Sequence, residues 1–470
     1  MLINKTLTPN LLLSALVAIL AFALTDRVAA QLFTNLHNFT GADGAYPQAG
    51  LVLSEGYLYG TTFSGVTSGN GTVFKIKTDG TGLALLHSFS ATPSSGPPFN
   101  SDGANPQAGL VLAGDTLYGT TRNGGTFGNG AVFKVKTDGT GYTNMHSFTL
   151  MFAATNSDGA HPYGGLVLSG DSLYGTTYHG GRSGRGIVFS ISTNGTGFTN
   201  LHSLTGTDGS NPASTLASSG SVLFGTTAFG GGAGNGTVFA VNADGSGFTN
   251  LHVFSAVFGS SFTNTDGTTL YTGLTLSGNV LYGTAYAGGF FGRGTVFGVG
   301  TDGSNFTNLH NFAQNEGAYP SGELVMNGGA LYGTTYQGGS FGDGTVFALN
   351  TDGSAFTTLH NLQSSTDGGF PLAGLALSGS ALYGTAQGGS FGVGTIFCLF
   401  VLPRLEITRS EANIVLRWPA NATAFALEST TNLVPPVVWN AVAQEPIVVE
   451  GENVTTESIS GEQSFFRLRH

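Results

Sequence analysis

The chain reads as an all-β protein: a seven-bladed β-propeller closed by its N-terminal strand, followed by a small C-terminal β-sandwich-like module. Three observations predict this. The motif Leu-Tyr-Gly-Thr begins at Leu58, Leu117, Leu173, Leu223 (with Phe224 for Tyr), Leu281, Leu331 and Leu382, at spacings of 59, 56, 50, 58, 50 and 51 residues. A period near 50 with several short strands per unit is the signature of radial β repeats. Gly makes up 76 of 470 residues and charged residues only 9%, against about 25% in an average soluble domain. The 35 Phe and 15 Tyr supply the core that a disordered Gly-rich chain would lack.

Residues 1–30 read as a secretory signal peptide. Lys5 gives a positive start, Leu11 to Leu24 is an apolar run, and Val28-Ala29-Ala30 offers small residues for cleavage before Gln31. The run is shorter than the roughly 20 residues of a membrane span, so an uncleaved anchor is the lesser reading. No transmembrane segment is expected in the mature chain. The expected localisation is secreted, extracellular or cell-surface.

Residues 31–401 hold the repeats. In the first complete unit the strand candidates are Gly50–Leu53, Tyr57–Phe63, Gly71–Lys77 and Leu83–Phe89, rich in Val, Leu, Tyr, Phe and Thr and bounded by turn residues. Asp79, Asp138, Asn194, Asp244, Asp302 and Asp352, each before Gly, mark the hairpin between the third and fourth strands. The fourth strand carries a histidine: His37, His87, His146, His202, His252, His310 and His360. The first of these precedes the first Leu-Tyr-Gly-Thr, and the seventh unit ends at Phe400 with no such strand. Phe33–Phe39 is therefore expected to complete the last blade and remove the open sheet edges. Strand alternation puts His37 on the same face as Phe33 and Phe39. These histidines are expected to be structural, lying between blades with their nitrogens bonded to backbone or hydroxyl groups.

Residues 402–470 differ: they carry 13 charges in 69 residues, against 25 in 371 for residues 31–401, and both Trp418 and Trp439. Ile414–Trp418, Ala424–Glu428, Val437–Val442, Ile447–Glu450 and Ser464–Leu468 read as strands of a second all-β domain. With the break at Leu402-Pro403 there is almost no linker, so the two domains are expected to touch.

The net charge of −11 argues against nucleic acid and anionic membrane surfaces as partners. The single Cys398 excludes an intrachain disulfide and sits in an apolar strand, where it reads as a small buried hydrophobe.

Taken together, Leu-Tyr-Gly-Thr-Thr, Gly-Gly-x-x-Gly-x-Gly-Thr-Val-Phe and Asp-Gly-x-x-x-x-x-Leu-His-x-Phe resemble the choice-of-anchor tandem repeat called GloVer, found in secreted bacterial proteins. The resemblance covers residues 33–400, with departures at Phe224 and at Thr385-Ala386-Gln387-Gly388. It implies export or display at the cell surface and carries no established molecular activity. The tail lacks the Pro-Glu-Pro and hydrophobic segment of one such anchor and resembles a fibronectin-like module.

Of 17 acids in residues 31–401, 12 are Asp before Gly, which is turn chemistry. A glycosidase needs two facing carboxylates, and nothing distinguishes such a pair here. Asn156-Ser157-Asp158 and Asn264-Thr265-Asp266 lack the dense acid spacing of a calcium loop. Gly124 to Gly130 looks dinucleotide-like but continues into a strand rather than a helix. The paired glycines are kelch-like, without the crosslinked Cys and Tyr of the copper enzyme galactose oxidase. No catalytic residue, metal ligand or cofactor is assigned. The loops after Leu-Tyr-Gly-Thr, which should share one face, carry Arg122, Tyr178, His179, Arg182, Arg185, Tyr286, Arg293, Tyr336 and Asp343 as candidate ligand-binding residues, with Phe229 and Gln337 beside them. Aromatic rings with Arg and Asp suit an extracellular glycan or a cell-envelope component, although the same aromatics could simply pack over blade ends. The expected function is a non-catalytic binding or structural repeat protein. A polysaccharide-active hydrolase or lyase with its site in the propeller channel is the alternative, and a purely architectural element the third reading.

Overall fold

In a computed structural model the described residues are 32–93, 99–259, 262–401, 405–410, 413–419, 425–434, 437–449, 452–458 and 464–469. The signal-peptide reading of residues 1–30 and the break at Leu402-Pro403 fall outside them. All regular structure among the described residues is β, and none of these residues forms a helix long and apolar enough to cross a membrane.

Seven antiparallel sheets follow one another along the repeats. Sheet 1 contains Val52–Ser54, Tyr57–Thr62, Thr72–Lys77 and Ala84–Ser88. Sheet 2 contains Val111–Ala113, Thr116–Thr121, Ala131–Lys136 and Thr143–Ser147. Sheet 3 contains Val167–Ser169, Ser172–Thr177, Ile187–Ser192 and Thr199–Ser203. Sheet 4 contains Ala217–Ser219, Val222–Thr227, Thr237–Asn242 and Thr249–Val253. Sheet 5 contains Thr275–Ser277, Val280–Ala285, Thr295–Gly300 and Thr307–Asn311. Sheet 6 contains Val325–Asn327, Ala330–Gln337, Thr345–Asn350 and Thr357–Asn361, and gains a fifth strand, Ala318–Pro320. Sheet 7 contains Ala376–Ser378, Ala381–Ala386, Thr395–Phe400 and, as expected, the N-terminal strand Leu32–Asn38.

The invariant glycine of Leu-Tyr-Gly-Thr has a packing cause. It lies directly across from the Phe of Gly-Thr-Val-Phe, as Gly225 does from Phe239, and the Phe ring covers it. A Cβ on Gly225 would stand 2.5 Å from Phe239 Cζ and 2.7 Å from Leu216 Cδ2. Phe239 is fully buried and stacked on Phe248, so it has no room to give. Gly225→Ala should therefore cost about 1–3 kcal/mol by overpacking, read as a lowered thermal midpoint. An unchanged midpoint would mean that the ring can move.

The repeat histidines are sandwiched between neighbouring sheets. His146 of sheet 2 stacks on Phe198 of sheet 3 at 3.9 Å, and His360 of sheet 6 on Phe33 of sheet 7 at 4.1 Å. Two expectations are corrected. The group facing each Nε2 is a carboxylate, not a backbone or hydroxyl group: Asp43, Asp102, Asp158, Asp208, Asp266 and Asp367 bond His37, His87, His146, His202, His252 and His360 at 2.9–3.0 Å, and Glu316 stands 3.4 Å from His310 without a hydrogen bond. Eleven of the twelve Asp-Gly pairs, all but Asp343, thus fall into two uses. The hairpin set, such as Asp79 capping Thr81, is turn chemistry; the other set ties the histidine strand to the loop that follows it. In addition, His37 and Phe33 do not share a face. A β-bulge at Leu36 shifts the phase, since Asn35 pairs with Phe397 and His37 with Ile396. Phe33 turns toward sheet 6 while Phe39 packs on Phe74 of sheet 1. The same bulge occurs in all seven sheets, and an inserted residue reverses alternation beyond it.

Backbone bonds join each unit to the next. Asn105 N–H donates to Asn70 O at 2.8 Å, Asn211 N–H to Arg185 O at 2.7 Å, and Tyr46 N–H of the first unit to Val393 O of the last at 2.6 Å. Threonine hydroxyls add a second series: Thr61 Oγ1 donates to Ala108 O at 3.4 Å and Thr385 Oγ1 to Ala49 O at 3.2 Å.

Beyond the repeats, Glu406–Ser410, Asn413–Pro419, Glu452–Ser458 and Ile447–Val449 form one sheet, and Asn440–Ala441, Ala426–Thr430 and Phe465–Arg469 another. Leu416, Trp418 and Leu427 make their shared core. Glu406–Ser410 and Glu452–Ser458 escaped the sequence reading because both are largely polar.

Candidate functional site

A short segment enters each sheet just before its first strand: Tyr46-Pro47-Gln48-Ala49-Gly50 in the first unit and His161-Pro162-Tyr163-Gly164-Gly165 in the third. Its first residue has positive φ in every unit, 54° at Tyr46 and His161 and 63° at Thr269. That conformation is costly for bulky and β-branched residues. It is held by the bond to the preceding unit and, at His161, by a second from Tyr178 N–H to His161 O at 3.1 Å. The turn directs the next residues inward. Segments from all seven units converge on one cavity of about 420 Å³, within the usual range for small-ligand sites of about 300–1,000 Å³.

The cavity is uneven in chemistry. One side presents Tyr163, Tyr178, Tyr271 and Tyr286. Tyr163 and Tyr178 stack at 4.5 Å, and Tyr271 and Tyr286 meet at 5.6 Å. Burial pushes the Tyr178 hydroxyl up to about 12, with Tyr271 and Tyr163 adding to the effect. Burial likewise raises Tyr271 and Tyr286, so these hydroxyls stay protonated near neutrality. The rest of the lining includes Gln48, Gln107, Ser321 and Glu323, the last lying against Gly273 in the segment that supplies Tyr271. Three residues after the entry-segment proline, or after Leu270 where it stands in for proline, five units have Gly (Gly50, Gly109, Gly165, Gly273, Gly374) and one Thr215; Glu323 occupies the place in the sixth unit. Its side chain is half-buried and makes no hydrogen bond or ion pair with the described residues. Burial alone pushes its carboxyl up to about 7.

Among the sequence candidates, Tyr178 and Tyr286 line this cavity. Arg122 lies over the Tyr163 ring at 4.6 Å, and Arg293 donates to Tyr319 Oη at 2.7 Å, with Tyr319 stacked on Tyr286. His179 packs edge-on against Tyr178 and His161, and burial lowers the pKa of both histidines. Tyr336 meets Phe370 at 5.5 Å. The other three sit elsewhere. Arg182 lines a separate recess with Asn156, Asn200 and His202. Arg185 is exposed near Gly206. Asp343 Oδ2 accepts from Ser364 N–H at 2.8 Å, a bond that ties two loops together. Arg and Asp therefore do not line the cavity wall, contrary to the expected partnership with the aromatics. In the two calcium-like stretches, Asn156 Oδ1 accepts from Gly159 and Gly181 N–H, and Asp158 is taken by His146 and Thr149.

Sequence reasoning missed Tyr163, Tyr271 and Glu323. A signal for Glu323 exists: of the five acids in the repeats that are not Asp-Gly, Glu55, Asp115 and Asp171 sit in the first hairpin and Glu316 replaces the histidine-binding Asp. Glu323 alone is left without a repeat role.

Fold and cavity define an all-β tandem-repeat protein of the propeller-like class. The chain belongs to the Gloeobacter/Verrucomicrobia repeat family, whose model matches residues 21–153, 147–262 and 256–402. The curated proteins give no match. Among solved structures the chain is similar to an oligogalacturonate lyase in complex with manganese, at 10% identity over 80% of this chain and 95% of that one, with a TM-score of 0.49. It is also similar to a putative 6-phosphogluconolactonase from Bacteroides uniformis, at 15% identity over 67% and 84%, with a TM-score of 0.42. A nidogen/laminin complex shares 17% identity over 55% and 82%, with a TM-score of 0.35. No activity follows from likeness at this level.

Proposed function

We propose that the seven sheets form a closed seven-bladed propeller, and that the protein is a non-catalytic binding protein of the cell exterior which holds a carbohydrate in the cavity where the seven entry segments meet. The observation that carries this reading is the arc of four tyrosines lining one side of a polar cavity. Aromatic faces stack on sugar rings, and Gln, Ser and Tyr groups bond hydroxyls. The C-terminal module serves as the attachment element. The test is binding of residues 31–470 to an array of glycans and insoluble polysaccharides, with products followed by mass spectrometry. Selective retention without products, weakened at least about tenfold by Tyr178→Ala, is the expected result; uniform absence of binding would overturn it.

A polysaccharide-active hydrolase or lyase is the second reading, and one observation favours it: a carboxyl in the cavity that titrates near neutrality. Against it, Glu323 is the only carboxylate among the described lining residues, and paired-carboxylate hydrolysis needs two. Oligosaccharide release abolished by Glu323→Gln would establish it.

A further inference from the structure

The cavity carries one charge that the carbohydrate reading leaves unused. Its described lining holds a single ionisable acid, Glu323, and no Arg, Lys or His. Arg122 and Arg293 are engaged on Tyr163 and Tyr319 and do not line it. An ideal Cβ on Gly273 would stand 2.7 Å from Glu323 Oε2. The carboxylate thus lies against the unit that supplies Tyr271 and Tyr286 to the same lining, in space left by the missing side chain. It has no partner among the described residues. A carboxylate beside an arc of electron-rich rings suits a cation held by ring faces and one countercharge. A metal ion would instead ask for several oxygen ligands around one point, and no cluster of three or more acidic, His or Cys side chains that could hold one occurs among the described residues.

We propose that the cavity binds an organic ammonium group. Resting on the carbohydrate reading above, its ligand class is the amino sugar in its free, protonated form, with Glu323 as the countercharge and Tyr271 and Tyr286 as the ring faces. An N-acetylated sugar presents no charge and gains nothing from Glu323. Ammonium binding also favours ionised Glu323 over the neutral carboxyl that burial stabilises. Of the other titratable groups facing the cavity, Tyr178, Tyr271 and Tyr286 are raised by burial and remain protonated near neutrality, and His161 and His179 beside Tyr178 are held neutral by burial. Proton release on binding therefore reports Glu323.

The test is calorimetry of the mature chain with the glucosamine tetramer, the N-acetylglucosamine tetramer and cellotetraose, and with tetramethylammonium as a fixed-charge probe. The glucosamine tetramer should bind at least about tenfold more tightly than the two neutral tetramers. Glu323→Gln, which preserves shape, should erase that preference. Tetramethylammonium at pH 7 should release a fraction of a proton from the parent protein and none from Glu323→Gln. Equal binding of all three tetramers would overturn the ammonium inference and leave the carbohydrate reading standing. Binding of tetramethylammonium without any tetramer would do the reverse. No binding of any probe would overturn both.

Discussion

Removal of residues 32–39 should abolish cooperative folding of all seven sheets, not only loosen the last one. Leu32–Asn38 pairs along the whole of Thr395–Phe400, and its side chains serve two seams. Phe33 stacks on His360 and Phe397, toward sheet 6. Phe39 is fully buried against Phe74 of sheet 1. Losing two phenylalanines from packed sites costs roughly 3–5 kcal/mol each, and Leu36 and the strand hydrogen bonds add to this. The sum is on the order of 10 kcal/mol, comparable to the whole stability of a typical domain. The cut also bares Thr395-Ile396-Phe397-Cys398-Leu399-Phe400, an uncharged apolar edge of the kind that recruits other chains. The shortened protein should therefore elute as aggregate and show no sharp thermal transition, and a synthetic peptide of residues 31–40 added during refolding should restore both. A monomeric product melting within a few degrees of the parent would refute the two-seam role. The Phe33→Ala and Phe39→Ala single variants should each fold with a lowered midpoint.

The fold was largely legible because its causes are local and repeated. Leu-Tyr-Gly-Thr announces a strand whose glycine must face a phenylalanine, and Asp-Gly or Asn-Gly announces the hairpin, so strand limits in the first unit fall within two residues of those observed. The order of histidine strands also foretold that Leu32–Asn38 belongs to the last sheet. Two things were not legible. The bulge before each histidine leaves no compositional mark, because the inserted residue, such as Leu36 or Leu201, is an ordinary strand former; period-two alternation therefore assigned His37 to the wrong face. The partnership of histidine with Asp was also hidden. Six residues separate His37 from Asp43 but 15 separate His87 from Asp102, so loops of different length conceal one bond. The site was half legible. Tyr178 and Tyr286 stood out as loop aromatics, whereas Tyr163, Tyr271 and Glu323 lie in the entry segment, whose repetition is visible only once the seven copies are superimposed on one cavity.

That hidden bond leads to the second large effect. Asp158 is buried, and its carboxylate accepts from His146 Nε2 at 3.0 Å, from Thr149 N–H at 3.0 Å and from the Thr149 hydroxyl. Asp158→Ala orphans all three donors beneath the stacked rings of His146 and Phe198. A buried unsatisfied donor costs about 1–3 kcal/mol, and the imidazole is partly exposed, so a loss of about 2–4 kcal/mol is expected. Asp158→Asn keeps an acceptor and should recover part of it. The same bond sets a dependence on pH. Burial works to raise the pKa of Asp43, Asp102, Asp158, Asp208 and Asp266, but hydrogen bonds from the histidine and the neighbouring Ser or Thr outweigh it and hold all five below the ordinary value of 3.8. A folded-state pKa below the unfolded one adds stability that is complete above the unfolded value and lost as pH falls through the folded one. Five such groups act together, so urea midpoints should fall steeply below about pH 4. Asp158→Ala, with one group removed, should start lower and fall less. A parent profile that stays flat to pH 3 would mean that these carboxylates gain nothing from their histidines, and the seams would then rest on ring stacking alone.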